Sequence, residues 1–343
     1  MLVSAIAQGV AQIFWGWLNA AARVHHAYRR CSNRMALCGA CPASAAARHR
    51  TVGLRYRGGT EPLDHRFCAT NARAWLDRGR NVTIEYRWAE GRSERFAEIA
   101  AEFVQRNVSI ILTHNTLPTL AAKQATSTIP IVFATAGDPV ETGIVSSLAR
   151  PGGNITGLSS QAPDLAGKKL ELLRLAVPGL RRLATLADIG DPYAAIDISK
   201  INDAARILGI EVANFEIGRA EELDSVFDEL KGRTDALYAV AVPLLFANRT
   251  RVNSLAIRIG LPTLYLVREY VEAGGLMSYG ANWPSMWRRA ANLVDKILRG
   301  SKPADLPIEQ PNEFDLVINL TTAKALGLTI PDKLFALAET VIE

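Results

Sequence analysis

From Val52 onward, short apolar runs rich in branched residues alternate with segments whose apolar positions recur every three or four residues. The short runs read as strands buried on both faces and the others as helices packed on one side. Strands are predicted at Val52–Tyr56, Asn81–Arg87, Val108–Leu112, Ile129–Ala134 and Asn154–Leu158. Helices are predicted at Asp64–Arg78, from the Ser93 cap to Arg106, and at Thr116–Thr126. Phe96, Ile99, Ala100 and Phe103 supply the inward stripe of the second helix. After Ile129–Ala134 the chain makes a polar loop, Thr135 to Asp138. Asp138 then reads as an N-cap and Pro139 as the first helical position of a further helix.

A second cycle follows. Asp164–Ala176, Ala194–Leu208, Ala220–Lys231 and Pro243–Ile259 read as helices. Arg182–Ala187, Glu211–Glu216, Ala236–Val240, Pro262–Leu266 and Gly275–Tyr279 read as strands. Trp283–Leu298 is a late helix, Ser301–Pro311 a proline-punctuated crossing, and Phe314–Asn319 a last strand before closing helices. Strands alternating with helices predict an α/β fold with parallel sheets, and this many strands exceed what one core holds. Two Rossmann-like lobes are therefore expected, lobe 1 from 51–157 plus about 280–305 and lobe 2 from 158–279 plus about 306–343. In such sheets ligands sit at the carboxyl ends of the strands, where helix N-termini gather free amides.

Charge is unevenly placed. Residues 1–80 hold twelve arginines, no lysine and three acids, while the whole chain of 343 residues carries +5, so the remainder is net negative. The basic balance is local and offers no stripe for nucleic acid, which is not expected as a partner. All four cysteines and four of five histidines also precede residue 81. A thiol nucleophile or thiolate metal site is thereby excluded from the body, and Cys38-x2-Cys41 has no second pair at metal-site spacing. Residues 1–50 are expected to form a poorly ordered or anchor-like leader. Met1–Ala22 is apolar enough for an uncleaved membrane anchor but lacks the basic start of a secretory signal.

Candidate ligand-binding residues follow from the loops at strand ends. In lobe 1 these are Thr113, Asn115, Thr116, Thr135, Gly137 and Asp138, whose hydroxyls and amides suit a carboxylate, with Asp138 able to face an ammonium. Asp138 and Thr116 read equally well as helix caps. In lobe 2 they are Asp188, Tyr193, Pro243, Phe246, Tyr265 and Arg268, where aromatic rings could stack on a flat solute or simply pack. Ser159 lies where the chain leaves lobe 1, and Ser159–Ser160 and Ser278–Gly280 are hinge candidates. His114, the only histidine after residue 80, reads as a loop residue. No GxSxG elbow, P-loop, HExxH or GxGxxG after a strand is present. Neither catalysis nor a cofactor is expected.

Five segments carry a resemblance: GRNVTIEYRWAEG (Gly79–Gly91), STIPIVFATAGDPVETGIVSSLARPGGNITGLSS, REYVEAGGLMSYG (Arg268–Gly280), KILRGSKPADLPIEQP (Lys296–Pro311) and FDLVINLTTAKALGLTIP (Phe314–Pro331). Together they resemble the ABC-transporter substrate-binding proteins of the type I periplasmic branch that includes tryptophan- and tyrosine-binding members, in register from Asn81 to Glu343. The resemblance implies hinge closure on a small solute, an amino acid among the options, and delivery to permease subunits. It also implies a periplasmic location or membrane association on the outer side. A ligand-sensing effector domain of repressor type and a small-molecule-modifying α/β enzyme stand as alternatives. Where the family carries an F-x-x-G-L-x-x-x-G-Y helix, this chain reads FCATNARAWLDRG. With its surplus of Arg, Cys, His and Trp, the segment before Gly79 has the composition of out-of-frame translation of a GC-rich gene.

Overall fold

The computed structural model describes residues 50–56 and 82–343. The expectations for the leader and for a helix over 64–78 fall outside them.

The first sheet contains β1 (Arg50–Tyr56), β2 (Val82–Trp88), β3 (Ile110–Thr113), β4 (Ile131–Ala136) and β5 (Ile155–Ser159), in the order β2-β1-β3-β4-β5. Strands β3, β4 and β5 are parallel. Their alternate residues divide between two faces, as a doubly covered sheet requires. Ile110, Leu112, Val132, Ala134 and Leu158 face α9 (Trp283–Leu298), whereas Ile111, Ile131 and Phe133 face the side covered by α1 (Arg95–Gln105) and α2 (Thr116–Ala125). Helix α1 buries Phe96, Ile99, Ala100 and Phe103, the predicted stripe.

One strand departs from the all-parallel expectation. β1 runs antiparallel to both neighbours, registered against β2 from Arg50↔Trp88 to Tyr56↔Val82. That is the register of a hairpin, which needs no crossover helix to bring the second strand back.

The second sheet contains β6 (Arg182–Asp188), β7 (Glu211–Ile217), β8 (Ala236–Ala239), β9 (Thr263–Tyr265), β10 (Met277–Ala281), β11 (Phe314–Asn319) and β12 (Thr340–Ile342), ordered β12-β11-β10-β9-β8-β6-β7. All its pairs are parallel except β10 with β11. The closing helices expected after β11 are followed by this short β12. Around the sheet lie α3 (Ala166–Ala176), α4 (Pro192–Leu208), α5 (Leu223–Leu230), α6 (Pro243–Ala247), α7 (Arg249–Arg258), α8 (Arg268–Glu272), α10 (Leu320–Ala325) and α11 (Asp332–Phe335). α4 ends on Gly209 at φ +67°, the left-handed stop its sequence announces.

Three predicted helices change. The Asp138 segment is a series of turns, its carboxylate accepting from the amides of Val140 (3.0 Å) and Glu141 (2.9 Å). The run that follows is rich in branched residues and carries Gly143 at φ +73°, so no helix propagates. The predicted helix over 220–231 starts as a 3-10 turn at Ala220–Glu222 and becomes α-helical as α5. The predicted helix over 243–259 breaks at Asn248, whose side-chain amide donates to the Leu244 carbonyl (2.9 Å).

The chain crosses between sheets after β5, after β10 and again before β11. The second crossing comes at Asn282, which caps α9, because Ser278, Tyr279 and Gly280 are paired along β10. The third comes later than residue 306: Ile308 donates to Leu148, Glu309 to Gly157, and Ser159 to Glu309, so this stretch lies along β5.

Inside lobe 2 a charged cluster ties α3, α4 and β8 together. Lys169 Nζ donates to Tyr238 Oη (2.8 Å) and lies 3.5 Å from Asp197, and Tyr238 Oη donates to Asp197 (2.5 Å); Lys169 and Asp197 are wholly buried. Burial pushes the Lys169 amine down, and Asp197 holds it back up. Asp197→Leu should cost about 3–5 kcal/mol in urea unfolding because it strands a buried cation, whereas Lys169→Met with Asp197→Leu should recover most of that loss.

Candidate ligand cleft between the two sheets

The carboxyl ends of β3 and β4 face those of β6 and β8, and the loops that leave them touch. Asn115 bridges the gap: its side-chain amide donates to the Ala241 carbonyl at 3.0 Å. Asn115 stands at φ +78°, ψ 169°, a conformation costly for any residue with a Cβ. It is pinned there by its own amide donating to Thr135 O (2.8 Å) and by its Oδ1 accepting from Thr116 N (2.8 Å). Beside it Gly137 lies flat on the Tyr193 ring. A Cβ at position 137 would sit 2.0 Å from two ring carbons, so only glycine permits this approach. At a third contact a Cβ on Gly91 would lie 3.3 Å from that of Ala247.

The remaining expected residues divide by what they touch. Thr113 is bonded to Thr119 Oγ1 (2.8 Å) within the β3–α2 connection. Thr116 and Thr135 are buried, and the Thr116 hydroxyl has no partner among the described residues. Ser159 Oγ donates to the Gly137 carbonyl (3.3 Å), bracing the loop that meets Tyr193. Asp188 accepts from Gly190 N (2.9 Å) and Pro243 starts α6. Arg268 pairs with Glu272 at 2.9 Å along α8. Tyr265 is wholly buried, donates to Asn253 Oδ1 and stacks on Tyr270 at 4.3 Å, so it packs lobe 2 rather than facing the gap.

His114 lies in the loop after β3, as expected, and its ring is packed. Its ring meets Trp283 edge-on at 4.4 Å and stacks on Trp287 at 5.4 Å, and Trp283 in turn lies 5.7 Å from Phe246. This row of rings runs from β3 of the first sheet to α6 of the second. Trp283, Arg249, Glu269 and Tyr270 were missed in the sequence. Their signal was positional: Glu269 and Tyr270 closely follow β9, Trp283 closely follows β10, and Arg249 starts the second helix after β8.

Several polar atoms at this edge are buried without a partner among the described residues: Asp191 Oδ2, Tyr193 Oη, Arg249 Nε, Glu269 Oε2, Tyr270 Oη and Trp283 Nε1. Burial, with Asp188 nearby, raises the Asp191 carboxyl to about 7, and burial raises Glu269 to about 7. Burial lowers the Arg249 guanidinium. Among the described residues no group of His, Cys, Asp and Glu could hold a metal, and no helix is long and apolar enough to cross a membrane.

The family described as ABC transporter substrate binding protein matches residues 73–342. The chain belongs to that family. Among its relatives is a tyrosine-binding protein of Clostridioides difficile strain R20291, 28% identical over 250 residues, which are 73% of this chain and 72% of the relative. A conserved domain protein from Vibrio cholerae has a solved structure with TM-score 0.74 and 28% identity, covering 77% of this chain and 89% of that one. An ABC domain from Streptococcus pneumoniae, solved in complex with L-Trp, matches with TM-score 0.70 and 24% identity, over 74% and 87%. These structures establish the type I periplasmic-binding fold for this substrate-binding chain.

The raised carboxyls give a sign for the pH response. Asp191 and Glu269 hold protons in the folded state up to about pH 7 but release them near pH 4 when unfolded. Folding therefore binds protons between those values, and ligand-free stability should fall as pH rises from 4 through 7. Thermal unfolding at pH 5 and pH 8 checks this, with Asp191→Asn and Glu269→Gln each flattening the profile.

Proposed function

We propose that this chain is the capture subunit of an ABC import system, closing its two lobes about a hinge on a small solute, an amino acid foremost, and presenting it to membrane permease subunits outside the cytoplasm. The observation that carries this is the gap itself. Two sheets meet edge to edge through a few loop contacts, and the buried polar atoms beside them lack partners that a solute would supply. The ABC domain solved in complex with L-Trp, and the tyrosine-binding relative, support an amino-acid ligand.

Capture works by excluding water. A solute enclosed between strand-end loops receives hydrogen bonds in a dry site, and each bond is made only when both lobes contribute. Nothing covalent happens to it. Thr116, Thr135, Gly137, Asp138 and Ser159 stand on the first side and Asp188, Tyr193, Pro243 and Phe246 on the second; Arg268 lies at the rim.

A thermal-shift screen of amino acids and small carboxylates tests the reading. A true ligand at about 100 times its Kd should add about 2.7 kcal/mol and raise Tm by several degrees. Gly137→Val, with its fold checked by circular dichroism, should lower affinity at least about tenfold by depopulating the closed state. Silence across a broad library, or equal binding by the valine variant, would contradict capture by closure.

A further inference from the structure

Only two Lys or Arg side chains are buried among the described residues, Lys169 and Arg249. Lys169 is committed to Asp197 and Tyr238. Arg249 has no carboxylate within ion-pair distance among the described residues, although it is 8% exposed. Its guanidinium lies over the Phe246 ring, 5.0 Å from the centroid, and one NH donates to the Phe246 carbonyl at 3.1 Å. The Nε is left without a partner.

Three more unpartnered polar atoms surround the same Phe246 ring or lie next to its neighbours. Tyr270 meets that ring edge-on at 5.6 Å and Trp283 lies 5.7 Å from it; neither Tyr270 Oη nor Trp283 Nε1 has a partner among the described residues. Glu269, also 8% exposed, precedes Tyr270 in the chain and has Oε2 free. Glu269 and Trp283 line one small cavity at the carboxyl edge of β9 and β10. The neighbouring cation Arg268 is taken by Glu272, and the neighbouring Asp315 accepts from Asn282 at 2.8 Å. Arg249 lies over the Phe246 ring and Glu269 precedes Tyr270, which meets the same ring, yet the two form no ion pair among the described residues. Above about pH 7, where Glu269 is ionised, two opposite charges buried together without pairing each bear an uncompensated desolvation cost, which a third group carrying both charges would remove.

We propose that Arg249 and Glu269 are the two ends of a zwitterion site, Arg249 receiving a carboxylate and Glu269 an ammonium on the adjacent carbon, with the apolar body of the solute on the Phe246 and Trp283 rings. The proposal rests on the cleft being a solute site and specifies which chemistry it selects. Arg249 suits a carboxylate because its planar fork donates two parallel bonds. Trp283 Nε1 can only donate and so adds to the carboxylate end, whereas Tyr270 Oη can serve either end. A solute with one charge leaves the opposite protein charge bare. The Asp188–Asp191–Tyr193 loop across the edge offers acceptors but no cation, so it cannot replace Arg249 as the anion anchor.

Isothermal titration of the full chain with L-phenylalanine, L-tryptophan and L-leucine, against 3-phenylpropionate (carboxylate only) and phenethylamine (ammonium only), tests the site. The expected result is binding of at least one zwitterion, with each single-charge analogue at least about tenfold weaker. Arg249→Met should weaken the zwitterion at least about tenfold while leaving phenethylamine binding where wild type has it, a pattern that general damage would not give. Arg249→Lys should recover part of the loss, and Glu269→Gln should erase the preference for L-phenylalanine over 3-phenylpropionate. Should Arg249→Met not fold, Arg249→Lys and the analogue series on wild type decide the matter. Wild-type affinity in both Arg249 variants, or equal binding of zwitterion and analogues, overturns the zwitterion site and leaves capture standing. So does a wild type that ignores amino acids and takes a neutral solute. A wild type that takes nothing removes the capture reading and this site with it.

Discussion

The strained residue where the two halves of this protein meet is Asn115, whose side-chain amide reaches the Ala241 carbonyl across the gap. A net contribution of about 1 kcal/mol is typical of such a bond, while the φ +78° backbone that aims it costs on the order of 1–3 kcal/mol. The bridge therefore does not hold the lobes together by its own strength. It marks where they meet, and on the proposed capture reading a bond this weak leaves a modest ligand able to decide between open and closed.

The surroundings of that bridge follow the same logic. Gly137 accepts the Tyr193 ring because it has no Cβ, and Ser159 braces its carbonyl from behind. The His114, Trp283 and Phe246 rings continue the contact toward α6. Against these favourable contacts stand buried polar atoms with no partner, on Asp191, Tyr193, Arg249, Glu269, Tyr270 and Trp283. Each carries a desolvation cost of about 1–3 kcal/mol when left unsatisfied. On the proposed reading, a solute bound in the cleft would remove these costs. In the deep cores, by contrast, the charges are matched: Lys169 faces Asp197, Tyr238 donates to Asp197, and the Phe103 stripe is packed in the first sheet's core.

Much of this architecture was legible in the residues. The strand runs from Ile129 and Arg182, the Phe96–Phe103 stripe, the Gly209 stop and the late Trp283 helix all declared themselves through periodicity and turn chemistry, and the five matching segments named the family. What stayed hidden depended on tertiary context. β1 reads as a strand either way, and only pairing with β2 shows that it runs antiparallel. Asp138 caps a turn as readily as a helix, and Gly143 at positive φ decides between them. Tyr265 follows a strand as Phe246 does, yet one stacks on Tyr270 inside lobe 2 and the other meets Trp283 of α9. No local pattern separates two such aromatics. Arg249 and Glu269 stand out only once their lack of partners can be seen.

The account's central claim is that a solute holds these lobes closed. Small-angle scattering of the full chain, recorded with and without a saturating ligand, tests it most directly. The prediction is a smaller radius of gyration in the liganded sample, with the ligand-free curve requiring a population of separated lobes. Identical curves despite saturated binding would contradict it.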